Sequence, residues 1–369
     1  LNKTDKILQK EELNHSDLVY LLSCRNLERS TFRKKAANIK KLNVGNKVYF
    51  RGLIEYSNKC KKDCYYCGVR ASNKLPKRYQ LDDSEVLEAA KFAYENRFGS
   101  LVIQSGERGD KSFTSKIEHL LREIKKLSNG KLGITLSCGE QTIETYLKWK
   151  EAGAHRYLLR IETSNKKLYS KLHPNDDIHH FDRRITALHH LKEAGYQLGT
   201  GVMIGLPFQT KDDLANDLLF LKKLDVDMAG MGPYIEHNDT PMYAFKGQLP
   251  SASNRFEMSL DMVALLRILM PKINIAATTA MQTIDPQGRE KALYVGANVI
   301  MPNLTPVKYR DSYLLYRDKP CIDEEAEECQ NCLEARIRVA GGEIGYDEWG
   351  DSLHFIERTN KRTIKIDDV

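Results

Sequence analysis

Three cysteines raise the first chemical question. In NKCKKDCYYCGVR, residues 58–70, Cys60, Cys64 and Cys67 follow the spacing C-x3-C-x2-C, and Tyr66 immediately precedes the last thiol. Structural zinc fills a tetrahedral shell with four Cys or His donors. The nearest histidines in sequence, His15 and His119, are far from the triplet, so zinc would need a ligand from elsewhere in the fold. A cube of four irons and four sulfides held by three thiolates leaves one iron open to an outside chelate. That open iron would be the reactive point.

A second group, Cys321, Cys329 and Cys332 in PCIDEEAEECQNC, has the spacing C-x7-C-x2-C. It could hold an iron–sulfur cluster with an outside ligand, or zinc with a further donor. Cys24 and Cys138 stand apart and read as buried thiols, the commonest state of free cysteine. The opening LNKTDKILQKEELNHSD is too polar for a signal peptide, and there is no run of about 18 apolar residues. Eight cysteines in such a chain are expected to stay reduced, in the cytoplasm.

Chemistry of this kind needs a scaffold that brings distant loops together. The 369 residues, 41% hydrophobic and 29% charged, can bury a full core. Residues 1–45 read as helical. From Lys47 onward β-rich runs alternate with amphipathic ones: KVYFRGLIEYS, SLVIQS, GITLS, RYLLRIE, GTGVMIGLP, DMAGMGPYI, INIAATTA and NVIMPN. The intervening segments, such as DDSEVLEAAKFAYEN and TKDDLANDLLFLKKLD, open on capping residues and keep helical spacing. Eight such units predict an α/β fold, a closed parallel (β/α)8 barrel with its chemistry at the strands' carboxyl ends. A doubly wound open sheet is the alternative. The predicted partition is a helical extension (1–45), a barrel (46–305) and a C-terminal extension carrying the second cysteine group (306–369).

The triplet follows the first predicted strand, and in spacing, aromatic neighbour and position it resembles the radical S-adenosylmethionine (SAM) superfamily. The resemblance implies a 4Fe-4S cluster on Cys60, Cys64 and Cys67. Its open iron chelates SAM, which is cleaved reductively to methionine and a 5′-deoxyadenosyl radical. Ser105-Gly106-Glu107 after the second strand resembles the motif that receives the SAM amino group. Arg160, Glu162 and Arg184, near the fourth strand, supply charges suited to the SAM carboxylate and ribose. Tyr66, Gln104 and Ser137 join this cofactor set by the same resemblance.

Further segments, including RGLIEYSNKCKKDCYYCGVR, YLKWKEAGAHRYLLRIETSN, GVMIGLPFQTKDDLANDLLFLK and GANVIMPNLTP, closely resemble the HydE family of FeFe-hydrogenase maturases. Biotin synthase and methylornithine synthase share the outline. The HydE resemblance implies an oxygen-sensitive enzyme of H-cluster assembly with a large, positively charged interior cavity. Its substrate would be a small iron complex carrying carbon monoxide, cyanide and cysteine. Ferredoxin or flavodoxin would be the low-potential electron donor, and other hydrogenase maturases its partners. Arg156, Thr278, Thr279, Met301 and Tyr316 would line the interior near substrate, and the second cysteine group would match a second cluster found in some members. Ile161 stands where some members are expected to carry histidine, and reads as packing. His173 and His237 read as surface loop residues.

A net charge of +7 is spread through many segments, and its basic runs are not interleaved with aromatics. This reads as solvated helix faces rather than a nucleic-acid groove. A metal-holding RNA-binding protein is the rival from another class. Gly199, Gly201 and Gly205 lie within a predicted strand and so are no dinucleotide fingerprint; their small size reads as room for a cofactor against the backbone.

Overall fold

The computed structural model describes residues 2–367, so Leu1 and the last two residues of the tail lie outside the described residues. Ten strands follow in chain order: β1 (Lys47–Ser57), β2 (Ser100–Ser105), β3 (Gly133–Ser137), β4 (Arg156–Leu158), β5 (Gln197–Thr200), β6 (Met203–Ile204), β7 (Met228–Pro233), β8 (Asn274–Ala277), β9 (Val299–Ile300) and β10 (Glu343–Ile344). The order β1-β2-β3-β4-β5-β7-β8-β9 closes when β1 pairs in parallel with β9, Tyr49 opposite Val299 and Phe50 opposite Ile300. All ladder pairings are parallel. Strands of such a barrel are covered on both faces, which is why they read as nearly continuous apolar runs.

Helices form the outer layer. The one after β2, Lys111–Leu127, buries Phe113, Ile117, Leu120, Leu121 and Ile124, a single helical stripe. Its Asp110 cap accepts from Phe113 N at 3.0 Å. Asp82 with Glu85, and Thr210 with Asp213, close reciprocal capping boxes on two other helices. Helix Asn26–Asn43 packs outside the barrel through Arg29 and Arg33, which reach Asp261 at 3.1 and 2.6 Å. No described helix is long and apolar enough to cross a membrane.

The predicted fifth strand divides into β5 and β6, with Gly201 in the gap. A Cβ on Gly201 would stand 1.9 Å from Gly230 O. Its small size is therefore taken up by backbone contact with β7, not by cofactor room. The tail also departs from expectation. Too polar to announce a strand, it adds β10 beside the start of β1 and then fills the barrel floor. There Gly350 O accepts from Arg51 Nη2 at 3.2 Å and from Asn274 Nδ2 at 2.8 Å.

Arg156 belongs to this floor. It is fully buried and donates to Thr135 Oγ1 at 3.0 Å, Trp349 O at 2.8 Å and Asp351 Oδ1 at 2.6 Å. The anionic partner that a buried guanidinium requires comes from the tail. Ile161 is fully buried in the main core, and Cys24 and Cys138 are buried free thiols.

Candidate active site

β1 delivers the chain to the barrel mouth at Ser57, and the next turn carries the cysteine triplet. Arg78 holds this loop. Its guanidinium donates to the carbonyls of Asn58 (2.6 Å), Val69 (2.7 Å), Arg70 (2.6 Å) and Asn73 (2.7 Å). Asn58 ties the loop's start to Lys77 O at 2.9 Å and to Tyr79 N at 2.8 Å. Cys60 Sγ accepts from Lys62 N at 3.4 Å and Glu107 N at 3.3 Å, so backbone dipoles already favour negative charge on that sulfur. Burial pushes all three thiols up, Cys67 to about 12 and Cys64 well above its ordinary value, and for these two the neighbouring thiols add to this. Three closely set thiols of this kind become thiolates when a positive metal centre lies among them.

The loop after β2 packs directly beneath. Gly106 is required there, since a Cβ would lie 2.5 Å from Lys59 O and 2.9 Å from Cys60 Cβ. Glu107 follows, with Oε1 buried and lacking a hydrogen-bond partner. Lys62 Nζ at 3.4 Å and Lys61 Nζ at 3.6 Å lie within ion-pair range of it. Glu107 is one corner of a buried charge network. Glu140, in the loop after β3, receives Lys62 Nζ at 3.1 Å and Arg184 Nε at 2.6 Å. Burial alone would raise the Glu140 carboxyl, but Arg184 and Lys62 together bring it down to about 2. Arg184 also donates through Nη1 to Arg160 O, and its Nη2 lies 3.8 Å from Glu107 Oε2.

β4 ends at Leu158, so Arg160 and Glu162 stand just past the strand. Arg160 Nε and Nη2 both reach the Glu162 carboxylate, at 2.9–3.0 Å, and the guanidinium also donates to Gly230 O and Val202 O. Glu162 has φ +66°, a strained value for a residue with a side chain. Two residues on, Ser164 donates from both N and Oγ to Asp217 Oδ1, each at 2.6 Å. Burial raises Asp217 to about 7 against these hydrogen bonds. The folded protein therefore takes up a proton there between about 3.8 and 7, and this site costs stability as pH rises through that window. Asp217→Asn, which keeps the acceptor, is expected to melt higher relative to the wild type at pH 8 than at pH 5. Equal shifts at both pH values would contradict the assignment.

These groups open onto one cavity of about 350 Å³. Cys60, Cys64 and Cys67 line it, as do Tyr66, Gln104, Ser105, Gly106, Glu107, Ser137, Arg160, Glu162 and Arg184. Thr278, Thr279, Met301 and Tyr316 line its further reaches, with Thr279 Oγ1 and Tyr316 Oη 2.6 Å apart. Arg156, expected among them, does not, because it is committed to Asp351 on the floor. The lining holds five basic side chains, Lys62, Arg160, Arg184, Arg289 and Lys319, against three carboxylates, Glu55, Glu107 and Glu162. The tail closes the cavity's wall: buried Lys319 reaches Glu55 of β1 and donates to Tyr313 O at 3.2 Å.

The sequence pattern described as the Radical SAM superfamily matches residues 54–221, from β1 to the helix before β7. The [FeFe] hydrogenase maturase subunit HydE of Thermotoga maritima is 47% identical over 324 residues, covering 88% of this chain and 89% of that protein. The chain belongs to the HydE family of radical SAM enzymes. The 3-methylornithine synthase of Methanosarcina acetivorans is 28% identical, covering 80% of this chain and 81% of that protein. In fold, the chain matches the crystal structure of methylornithine synthase (PylB) with a TM-score of 0.78 at 24% identity, covering 93% and 97% of the two chains. It matches HydG, another maturase of the [FeFe]-hydrogenase, with a TM-score of 0.77 at 22% identity, covering 93% and 75%.

Membership of the HydE family implies a 4Fe-4S cluster and SAM, and the residues present fit both. The three thiols, with N–H···S support at Cys60, suit the cluster. The orphaned Glu107 oxygen, the Arg184 edge and the Glu162 carboxylate suit the ammonium, carboxylate and hydroxyls of SAM. Sequence reasoning missed Lys62 and Glu140, because their partners come from other loops, and Arg78, because it grips backbone carbonyls of its own loop, which leave no mark in the sequence. His173 was expected at the surface, yet it is buried: Nδ1 lies 2.9 Å from Tyr169 O and Nε2 3.4 Å from Tyr66 Oη. It thereby braces the aromatic beside Cys67.

Proposed function

We propose that this chain cleaves SAM reductively in the assembly of the FeFe-hydrogenase iron subcluster, acting on a small iron complex that carries cysteine. One observation carries the reading: the thiol triplet, the groups suited to SAM and four of the five residues expected to face substrate share one cavity. When bound, the cluster and SAM supply a 5′-deoxyadenosyl radical. The chain's own residues do the rest. Cys60, Cys64 and Cys67 would hold the cluster, and Glu107, Arg160, Glu162 and Arg184 would orient SAM. Tyr313, Tyr316 and Lys319 exclude water by closing the wall. The net positive lining suits an anionic complex.

A reducing cytoplasm, a ferredoxin or flavodoxin donor and partnership with the other maturases belong to the same proposal. So does the division at about residues 45 and 305. The tail, by flooring and walling the barrel, would be part of the catalytic unit.

In cells lacking their own HydE but supplying the other maturases and the hydrogenase, the chain is expected to restore hydrogenase activity. It is expected not to convert lysine to methylornithine or dethiobiotin to biotin. Failure to restore hydrogenase by protein that still forms 5′-deoxyadenosine would overturn the substrate assignment. Conversion of lysine would establish the methylornithine reading instead.

A further inference from the structure

Residues 172–180 join helix Lys166–Leu172 to helix Phe181–Glu193, and they hold the cysteine loop on both sides of Cys64. Before it, Lys62 Nζ donates to Ile178 O and Asp63 N donates to His179 Nε2 at 2.8 Å. After it, Tyr65 N donates to Leu172 O at 2.9 Å and Tyr66 Oη stands 3.4 Å from His173 Nε2. His173 also stacks on Tyr169, ring centroids 4.0 Å apart, and meets Tyr66 edge-on at 5.4 Å.

The bond from Asp63 fixes the state of His179. A backbone N–H can only donate, so Nε2 carries no proton and the ring hydrogen sits on Nδ1. Nδ1 lies 2.7 Å from Asp176 Oδ1, which also accepts from Ile178 N and His179 N, each at 3.0 Å. Buried His179 therefore spans, with its two ring edges, a carboxylate of its own turn and a peptide of the cysteine loop 116 residues away. At the end of the same turn, His180 O takes a first helical bond from Arg184 N at 3.4 Å. Arg184 lines the cavity and is anchored to Glu140. One short turn thus sets both the peptide beside Cys64 and the start of the helix that bears Arg184.

We propose that His179 is a positioning residue of the cofactor site: by accepting from Asp63 N it holds Cys64 in place relative to Cys60 and Cys67, and at a fixed offset from Arg184. The assignment rests on the reading that the three thiolates hold the cluster and that Arg184 orients SAM.

Two substitutions separate this bond from packing. Glutamine brings its amide oxygen to where Nε2 stands. Asparagine, one methylene shorter, keeps a donor for Asp176 but leaves Asp63 N without its acceptor. In the cluster-free chain, hydrogen exchange over residues 61–67 is expected to quicken about fivefold at Asp63 N in His179→Asn and to stay at the wild-type rate in His179→Gln. After anaerobic reconstitution and reduction both variants are expected to load the cluster, since every thiol is retained. His179→Asn is expected to give a broadened electron paramagnetic resonance signal and to bind SAM roughly tenfold more weakly, whereas His179→Gln matches the wild type in both. Asparagine and glutamine variants that behave alike overturn the proposal, whether both match the wild type or both are impaired to the same degree. So does the reverse order, which would place the effect on Asp176. A wild type that takes up no cluster overturns the cluster reading and the assignment with it. That outcome is distinct from failure of His179 alone, in which the wild type loads and the variants do not separate.

Discussion

Alanine at any one of Cys60, Cys64 or Cys67 is expected to reduce 5′-deoxyadenosine formation to background while leaving the barrel folded. The three thiols line the cavity from a loop whose shape is set elsewhere, by the four carbonyl bonds of Arg78 and the braces of Asn58. Losing one sulfur removes a ligand without removing the loop's supports. The measurement is product formation after anaerobic reconstitution with iron, sulfide and reductant, alongside circular dichroism and a melting curve. Cleavage near the wild-type level in any one of the variants would mean that the triplet is not the ligand set. Variants of Cys321, Cys329 or Cys332 are expected to retain SAM cleavage.

Glu140→Ala is expected to produce the largest loss of stability in the site, about 3–5 kcal/mol, because it strands Lys62 and Arg184 as buried cations. Both are largely buried, and Glu140 is the carboxylate that each approaches most closely, at 3.1 and 2.6 Å. Glu107 remains only as a more distant neighbour, at 3.4 and 3.8 Å. Freed from Glu140, Arg184 loses its Nε anchor, so SAM affinity is expected to fall as well. Glu140→Gln, which keeps an acceptor, is expected to lie between. The carboxyl is depressed from 4.5 to about 2, so its contribution is complete above about 4.5 and disappears as pH falls towards 2. The stability gap between wild type and Glu140→Gln is accordingly expected to narrow on acidification. Denaturant midpoints at pH 7 and pH 4, with SAM binding by calorimetry, read these effects. An Ala variant as stable as the wild type would show that Lys62 and Arg184 do not need Glu140.

The barrel was legible because its strands are buried on both faces and so stand out as apolar runs between capped helices. The thiol triplet was legible because its ligands fall within eight residues of one loop. Features closed by distant partners were not. Arg156 was read as facing the cavity by resemblance to the HydE family, yet it is held by Asp351, 195 residues further on. Nothing in the sequence marks Glu140, which the fold sets against Arg184, 44 residues away. The tail misled by composition. Polar and mixed, it reads as an appendage, yet it supplies a strand, the floor and a wall, each through backbone or single side-chain contacts that leave no periodic trace. Of its cysteines, Cys332 is exposed, and a carboxylate that the spacing does not mark, Glu324, lies beside Cys321 and Cys329.

The most direct test of the central claim, that three thiolates hold a cluster with one iron free for SAM, is electron paramagnetic resonance of the reconstituted, reduced protein. Spectra would be recorded with and without SAM labelled with ¹⁵N at the amino group and ¹⁷O at the carboxylate. A reduced 4Fe-4S signal that shifts on addition of SAM and gains couplings to both labels is expected. A signal that SAM leaves unchanged, with no coupling to either nucleus, would contradict it.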